Sequence, residues 1–473
     1  MKLYAAPLNF RPIAREFGVR TGFSAALHAE ASQLTDRFSH LRIDARSVPL
    51  VTIDPAGSMD LDQAVHIQAR PGGGYVVRYA IADVAAFVVP DSLVAAESLE
   101  RGQTIYLPDE PARLHPEELS EGSASLLPGV DRPAVLWTFE LDAAGEVDAA
   151  HVERALVRSV ARLDYEGVHA DMQAGTVHPS VALLEEVGRL RQQSSLRRHA
   201  INLRLPSVRV VGDGDTFELV IEPRHPVMDY NSEISLLTGM VAGRMMVDAG
   251  VGFLRTLGPA DAAGEAEFRR EARNLGYDVT GDIGEFLAGV DADTPRGMAV
   301  MREAQKLLRG SGYVDLSAGD AEVHAGIGGY YSHVTAPLRR LIDRYATEVC
   351  LAICAGVDVP EWVERDAARV IKTMGRSTQV ANTVEKACLH LTEATVLEPW
   401  VGHNFDGVVL KRGDDTVAGP GKGAEGAPAR VFIVDPPVLA PSAGAPVEGA
   451  ETKFSLVRAD VDAREVGFAW PAD

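Results

Sequence analysis

Three aspartates, Asp54, Asp60 and Asp62, fall within nine residues between two short apolar runs, Val51-Thr52-Ile53 and Ala64-Val65-His66-Ile67. Both runs have the length and composition of strands, and Pro55-Ala56-Gly57 supplies a turn between them. A chain folded back here points its carboxylates toward one centre. Like charges converging on a site repel unless a cation neutralises them, and oxygen ligands of this kind suit Mg2+ or Mn2+ rather than zinc. Spacing alone leaves an Asx-type turn on a solvated acidic surface equally open. It does exclude an EF-hand, whose glycine and glutamate are missing at their fixed offsets.

The surrounding pattern sets the fold class. A further strand, Tyr75–Ile81, follows across Pro71-Gly72-Gly73-Gly74, after which helical periodicity dominates over 180–195, 232–248, 294–309, 336–355 and 361–373. Sheet and helix alternate without strict order, which predicts a mixed α/β (α+β) domain over residues 43–397. From residue 398 the chain returns to strands, at 405–410, 429–434, 455–458 and 461–468, separated by Gly/Pro/Ala-rich loops at 419–428 and 436–449. That spacing fits a small barrel of about five strands, the OB type. Residues 1–42 form a short helical element: Ile13, Phe17 and Val19 lie near one face, Gly18 is a stop, and Thr21–Ser24 starts a second helix. Two readings fit it, a helix-turn-helix that touches nucleic acid and helices that pack on the next domain. No internal repeat is found.

At 473 residues, 46% hydrophobic and 24% charged, the chain has material for several globular cores. The first residues carry no apolar stretch of signal-peptide length, and none later reaches the ~20 residues of a membrane span. A cytoplasmic protein without a membrane partner is the expectation. Three cysteines make no disulfide framework and are read as thiols; a tetrahedral metal quartet of Cys350, Cys354, Cys388 and His390 is the less favoured alternative. The formal charge of −21 argues against a nucleic-acid binder, which usually carries excess Lys and Arg. A buried channel, however, needs only local positive charge, and metal-binding carboxylates themselves make a chain acidic.

Several blocks carry a family likeness. Ile53, Asp54, Asp60, Asp62, Ala64 and Val65 are followed by Ala80-Ile81-Ala82-Asp83-Val84, by Arg101–Pro108, and by His115-Pro116-Glu117-Glu118-Leu119-Ser120. Later come Thr335-Ala336-Pro337-Leu338-Arg339-Arg340-Leu341-Ile342-Asp343 and Ala381–Lys386. In this order they resemble the catalytic domain of the RNase II / RNase R (RNB) family of exoribonucleases.

The resemblance implies hydrolysis of RNA from its 3′ end to nucleoside 5′-monophosphates by a monomer that the RNA enters 3′ end first. Asp54, Asp60, Asp62 and Gln63 stand at the metal-ligand positions for Mg2+ or Mn2+, with Asp62 also catalytic. Arg339, expected to open a helix, falls where a guanidinium takes up phosphate charge; an ion pair with Asp343 is its alternative. Arg340 falls beside it as a second substrate contact. Tyr106 matches the aromatic that stacks on the terminal base, unless it is a core tyrosine. Glu385 matches a glutamate near the 3′ end that bonds a ribose hydroxyl or the nucleophile, and Glu233 an acidic residue that also suits a helix start.

The chain departs from the family in four places. Gln63 replaces a carboxylate and brings no negative charge, so a second cation loses compensation. Cold-shock domains have no room in about 40 residues, Leu203 stands where a second aromatic clamp belongs, and the C-terminal barrel is not basic; its phenylalanines 405, 432, 454 and 468 are core or platform. Two further functions therefore stay open: a catalytically impaired RNA-binding member, and a hydrolase limited to short oligonucleotides.

Overall fold

The computed structural model describes residues 4–5, 8–194, 200–201, 203, 208–213, 216–221, 225–292, 294–308, 310–413 and 428–471; for 4–5, 208–213, 216–221 and 295 it describes the backbone alone. The expected loop at 419–428 therefore lies outside the described residues except for its last one. The chain opens with β1 (Tyr4–Ala5) and two short helices, α1 (Arg11–Glu16) and α2 (Ala25–Ala31). Ser24 starts α2 by accepting the Leu27 N–H, the usual work of an N-cap serine.

The site is built on a seven-stranded sheet. Its strands are β2 (Ile43–Asp44), β3 (Val51–Asp54), β4 (Gln63–Ala69) and β5 (Tyr75–Ala82), then, after α3 (Leu93–Arg101), β6 (Asp131–Leu141), β7 (Val147–Arg158) and β8 (Ala161–Asp164). They lie in the order β2-β7-β6-β5-β4-β3-β8. The β4–β5 hairpin forms where Gly72, Gly73 and Gly74 adopt positive φ; at Gly74 a Cβ would come within 2.1 Å of the Leu141 carbonyl oxygen. Alternation along β5 sends Val77, Tyr79 and Ile81 to one core and Ala80 and Ala82 to another, so the sheet is covered on both faces. Strands β3 and β4 pair only at Val51 and Val65. Beyond that point they part, and the aspartate loop fills the opening.

Helices α4 (Tyr165–Ala174) and α5 (Leu184–Gln193) follow, then a hairpin of β9 (Val208–Asp213) and β10 (Thr216–Ile221) that β1 extends to three strands. The long α6 (Pro226–Ala249) starts on a proline and ends at Gly250 in the left-handed conformation. A second layer comprises β11 (Phe253–Thr256), α7 (Ala262–Asn274), α8 (Ile283–Gly289), α9 (Pro295–Ala304) and β12 (Gly312–Asp315), ahead of α10 (Leu341–Ala355) and α11 (Glu361–Leu397). The closed barrel consists of β13 (Asn404–Lys411), β14 (Ala429–Ile433), β15 (Val438–Ala443), β16 (Glu451–Asp460) and β17 (Glu465–Ala469). The mixed α/β body and five-stranded barrel are the predicted architecture.

Four local expectations are corrected. Arg339 does not open a helix: α10 begins at Leu341, because Arg340 is drawn into an extended bridge with Gln103. The helix expected to end at residue 373 runs unbroken to Leu397, since no proline interrupts it between Pro360 and Pro399. Within the tail, the 436–449 loop contains β15, hidden by Pro441, and the 461–468 run is a turn through Arg464 followed by β17. Of the two readings of the first helices, the packing is that of helices laid on the rest of the chain: Ile13 and Ala14 of α1 pack with Val384, Ala387 and Phe405, and Leu27 and Ala31 of α2 with Val94 and Ala95 of α3.

A buried ionic network fastens this element to the sheet. Arg42 donates to Asp36 at 2.6 Å and Asp83 at 2.8 Å, and Asp83 also receives Arg154, which pairs with Glu348 of α10. Among the described residues no helix is long and apolar enough to cross a membrane.

Candidate active site

Asp62 is the anchor of the acidic loop. Its neighbours are pinned first: the Leu61 N–H donates to Ser125 Oγ at 3.0 Å, that hydroxyl donates to the Met59 carbonyl at 2.6 Å, and the Ala82 N–H meets the Asp62 carbonyl at 2.9 Å. The buried carboxylate then accepts the Leu338 N–H at 2.8 Å. Arg339 Nε stands 3.8 Å from the other Asp62 oxygen, with its side chain 43% exposed. One oxygen of Asp62 is thus committed to backbone, and the other shares the mouth of the site with a solvent-facing cation.

Burial and mutual repulsion hold these acids in strained protonation states. Burial first, then the Asp60 charge, push Asp54 up to about 7. Burial raises Asp60, with Glu121 adding to it, and lifts Asp62 well above the carboxylate range against the pull of Arg339. Asp54 Oδ2 is buried and, among the described residues, has no hydrogen-bond partner. A divalent cation would relieve all of this at once, by satisfying the orphaned oxygen and compensating the charges. Among the described residues no group of three or more His, Cys, Asp or Glu side chains is placed to hold a metal ion. The donor chemistry fits Mg2+ or Mn2+, with the carboxylates standing apart.

The Arg339 segment is held by contacts remote in sequence. Thr104 N–H donates to the Arg339 carbonyl and Leu341 N–H to the Gly102 carbonyl, both at 2.9 Å. This places Tyr106, 54% exposed, within electrostatic reach of Arg339, Asp60 and Asp62. On the opposite side, α6 approaches so closely that a Cβ on Gly239 would lie 2.1 Å from the Tyr331 ring, and Ser332 N–H donates to the Gly239 carbonyl.

The remaining predicted residues sit differently. Arg340 presents its fork to buried Asp343, at 2.9 and 2.8 Å, a bidentate brace instead of an open phosphate contact. The partner expected as an alternative for Arg339 belongs to Arg340. Gln63 turns its amide to the Thr335 carbonyl at 2.6 Å and the Tyr79 hydroxyl at 2.8 Å. Glu385 is exposed on α11 and, among the described residues, forms no hydrogen bond or ion pair with the cluster. Glu233 is buried in α6. Leu203 packs against the α7–α9 layer, and its neighbours 202 and 204 lie outside the described residues. Phe405, Phe432, Phe454 and Phe468 are all buried: Phe405, Phe454 and Phe468 form barrel core and Phe432 packs against the α7–α9 layer, so none makes a platform. Cys350 and Cys388 are buried free thiols, and Cys354 is half-buried.

Sequence reasoning missed Tyr79, Ser125 and Arg162. Arg162 donates to the Ser58 carbonyl at 3.1 Å, holding the acidic loop, and lowers the Asp54 pKa. The parallel pairing of β8 with β3, Asp54 opposite Asp164, delivers it there. A cation on an edge strand gives no local signal of that pairing.

Sheet, acidic loop and trailing barrel together define a catalytic-type α/β body followed by an S1-like barrel. The RNB domain model matches residues 42–353, and the RNase II-type exonuclease C-terminal S1 domain model matches residues 403–470. The chain belongs to the RNB family. Ribonuclease R of Chlamydia pneumoniae is 26% identical over 355 residues, covering 72% of this chain and 52% of that protein. The chain spans about half the length of such curated relatives. Among solved structures, Mycoplasma genitalium RNase R in complex with ribose-methylated single-stranded RNA superposes with a TM-score of 0.85 at 17% identity, covering 98% of this chain and 77% of that one. Yeast Ssd1, a pseudonuclease, superposes at 0.68 with 16% identity, covering 89% and 51%. At these identities the structural likeness concerns the fold.

Proposed function

We propose that the chain is a hydrolytic 3′→5′ exoribonuclease that degrades RNA to nucleoside 5′-monophosphates with a divalent metal, acting as a monomer in the cytoplasm. The observation that carries this reading is the junction of Asp62 and Arg339, a buried carboxylate and a half-exposed guanidinium 3.8 Å apart beside the unpartnered Asp54 oxygen. Asp54, Asp60 and Asp62 would hold Mg2+ or Mn2+, which supplies polarisation of the scissile phosphate and activation of water. Arg339 takes up charge on the phosphate as the transition state develops. Tyr106, exposed at the same mouth, stacks on the terminal base with little regard for sequence. Glu385 meets the 3′ end only if RNA brings the strand to α11. The division into residues 1–42, 43–397 and 398–473 assigns the chemistry to the middle part and RNA binding to the barrel.

A single-stranded 30-mer carrying a 5′ label tests polarity. The expected result with Mg2+ or Mn2+ is a ladder shortening from the 3′ end; cleavage from the 5′ end, or no product with either metal, contradicts the proposal.

A second reading has its own support. Gln63 supplies no carboxylate, and the fold is shared with a pseudonuclease, which favours a silent RNA clamp. Tight RNA binding without turnover, together with hydrolysis gained by Gln63→Asp, would establish it.

A further inference from the structure

Gln63 stands at the end of β4, next to Asp62 and facing away from it. A carbonyl oxygen can only accept, so the amide nitrogen of Gln63 must face the Thr335 carbonyl, 2.6 Å away. This leaves Oε1 to accept from the Tyr79 hydroxyl at 2.8 Å, and that hydroxyl is in turn 2.7 Å from Ser235 Oγ on α6. Tyr79 is 1% exposed, and both Asp54 and Asp62 bear on its hydroxyl. The chain Ser235–Tyr79–Gln63–Thr335 therefore runs from α6 through β5 and β4 to the arginine segment.

What hangs from this chain is the arginine segment. Thr335 Oγ1 lies 3.5 Å from Arg340 Nη2, the Ala336 N–H donates to Asp343 at 2.7 Å, and Leu338 and Arg339 meet Asp62. Swinging the Gln63 amide toward a cation would strip the Thr335 carbonyl of its amide donor and leave the Tyr79 hydroxyl with Ser235 alone, at the cost of a lost hydrogen bond at each end. A carboxylate at position 63 could not donate to Thr335 at all.

We infer that Gln63 is not a metal ligand but a positioning residue: with Tyr79 it forms a neutral latch that fixes Thr335, and through it Arg339, against the loop of Asp54, Asp60 and Asp62. This inference rests on the proposed nuclease reading for its catalytic consequence, though the latch itself does not. Tyr79 belongs to the same device, because its hydroxyl donates to the Oε1 of the amide that Thr335 orients.

The experiment compares wild type with Gln63→Ala and Tyr79→Phe in three measurements. These are Mn2+ binding by calorimetry, hydrogen exchange of backbone amides over 331–341, and kcat and KM on single-stranded RNA. Both variants should leave Mn2+ affinity within about twofold and speed exchange across 331–341. They should lower kcat by about 10- to 100-fold with KM little changed, as misplacement of a transition-state group does. A tenfold or greater loss of Mn2+ affinity in Gln63→Ala would make Gln63 a ligand and overturn the inference, as would unchanged exchange in both variants. Tyr79→Phe keeps the buried ring, so it isolates the hydroxyl should Gln63→Ala fold poorly. If wild type turns over no RNA with any metal, the nuclease reading fails while Mn2+ binding and exchange still decide the latch.

Discussion

Asp62 accepts the backbone N–H of Leu338 at 2.8 Å across 276 residues of sequence, so the loop that gathers the acids and the turn that carries Arg339 are fixed to each other by one side chain. An asparagine keeps an acceptor at that position and loses the charge. Asp62→Asn should therefore retain a melting temperature within about 5 °C of wild type while losing at least about 100-fold in kcat. Calorimetry and steady-state kinetics on one preparation check both.

In the proposed reaction Arg339 acts on catalysis more than on binding, because its guanidinium faces buried Asp62. Arg339→Ala should lower kcat by about 100- to 1,000-fold with KM changed by less than about fivefold. Arg339→Lys restores the charge without the fork and recovers only part of the rate.

Tyr106 is exposed at the mouth, and its proposed work is stacking. Tyr106→Ala should weaken RNA binding by about 1–3 kcal/mol, measured by fluorescence anisotropy in EDTA. Tyr106→Phe keeps the π-face and should bind like wild type.

The raised acids give a pH signature whose sign is opposite to that of a salt-bridged carboxylate. Asp54 moves from 3.8 unfolded to about 7 folded, so its stabilisation is complete below about pH 4 and is lost as pH rises to about 7. Glu393, buried on α11 and pushed up to about 8, acts in the same direction. Buried His115, held down to about 3, and buried His333 pull the other way over this range, so the test is a difference: in EDTA, Asp54→Asn should gain melting temperature relative to wild type as pH rises from 5 to 8. As a proposed ligand Asp54 must be ionised, so Mn2+ affinity should climb between pH 6 and 8, and Mn2+ should raise the melting temperature most at the higher pH.

Arg42, nearly inaccessible and bonded to both Asp36 and Asp83, ties residues 36–42 to the sheet. Arg42→Ala takes the partner from Asp36 and leaves Asp83 with Arg154 alone, and should cost about 3 kcal/mol in urea denaturation.

These relations mark what the sequence made legible. The acidic loop was readable because Asp54, Asp60 and Asp62 are neighbours in the chain between two strands of clear pattern. Arg339 was readable as a candidate through its motif, but its conformation was not: the bridge of Arg340 to Gln103 is a pairing across the chain, and it overrides the local helical pattern around Pro337. Gln63 shows the same limit. Its position next to Asp62 gave it a ligand's place, whereas its bonding is set by Tyr79 and by Thr335, 272 residues away. The barrel strand Val438–Ala443 escaped detection because Pro441 and small side chains break its alternation, and closure of the barrel supplies the order that propensity lacks.

The most direct test of the central claim is to identify the product of single-stranded RNA incubated with Mn2+, in wild type and in Asp62→Asn. The account predicts nucleoside 5′-monophosphates from wild type and at least about 100-fold slower release from the variant. No mononucleotide from wild type with either Mn2+ or Mg2+, or equal release by both proteins, would contradict it.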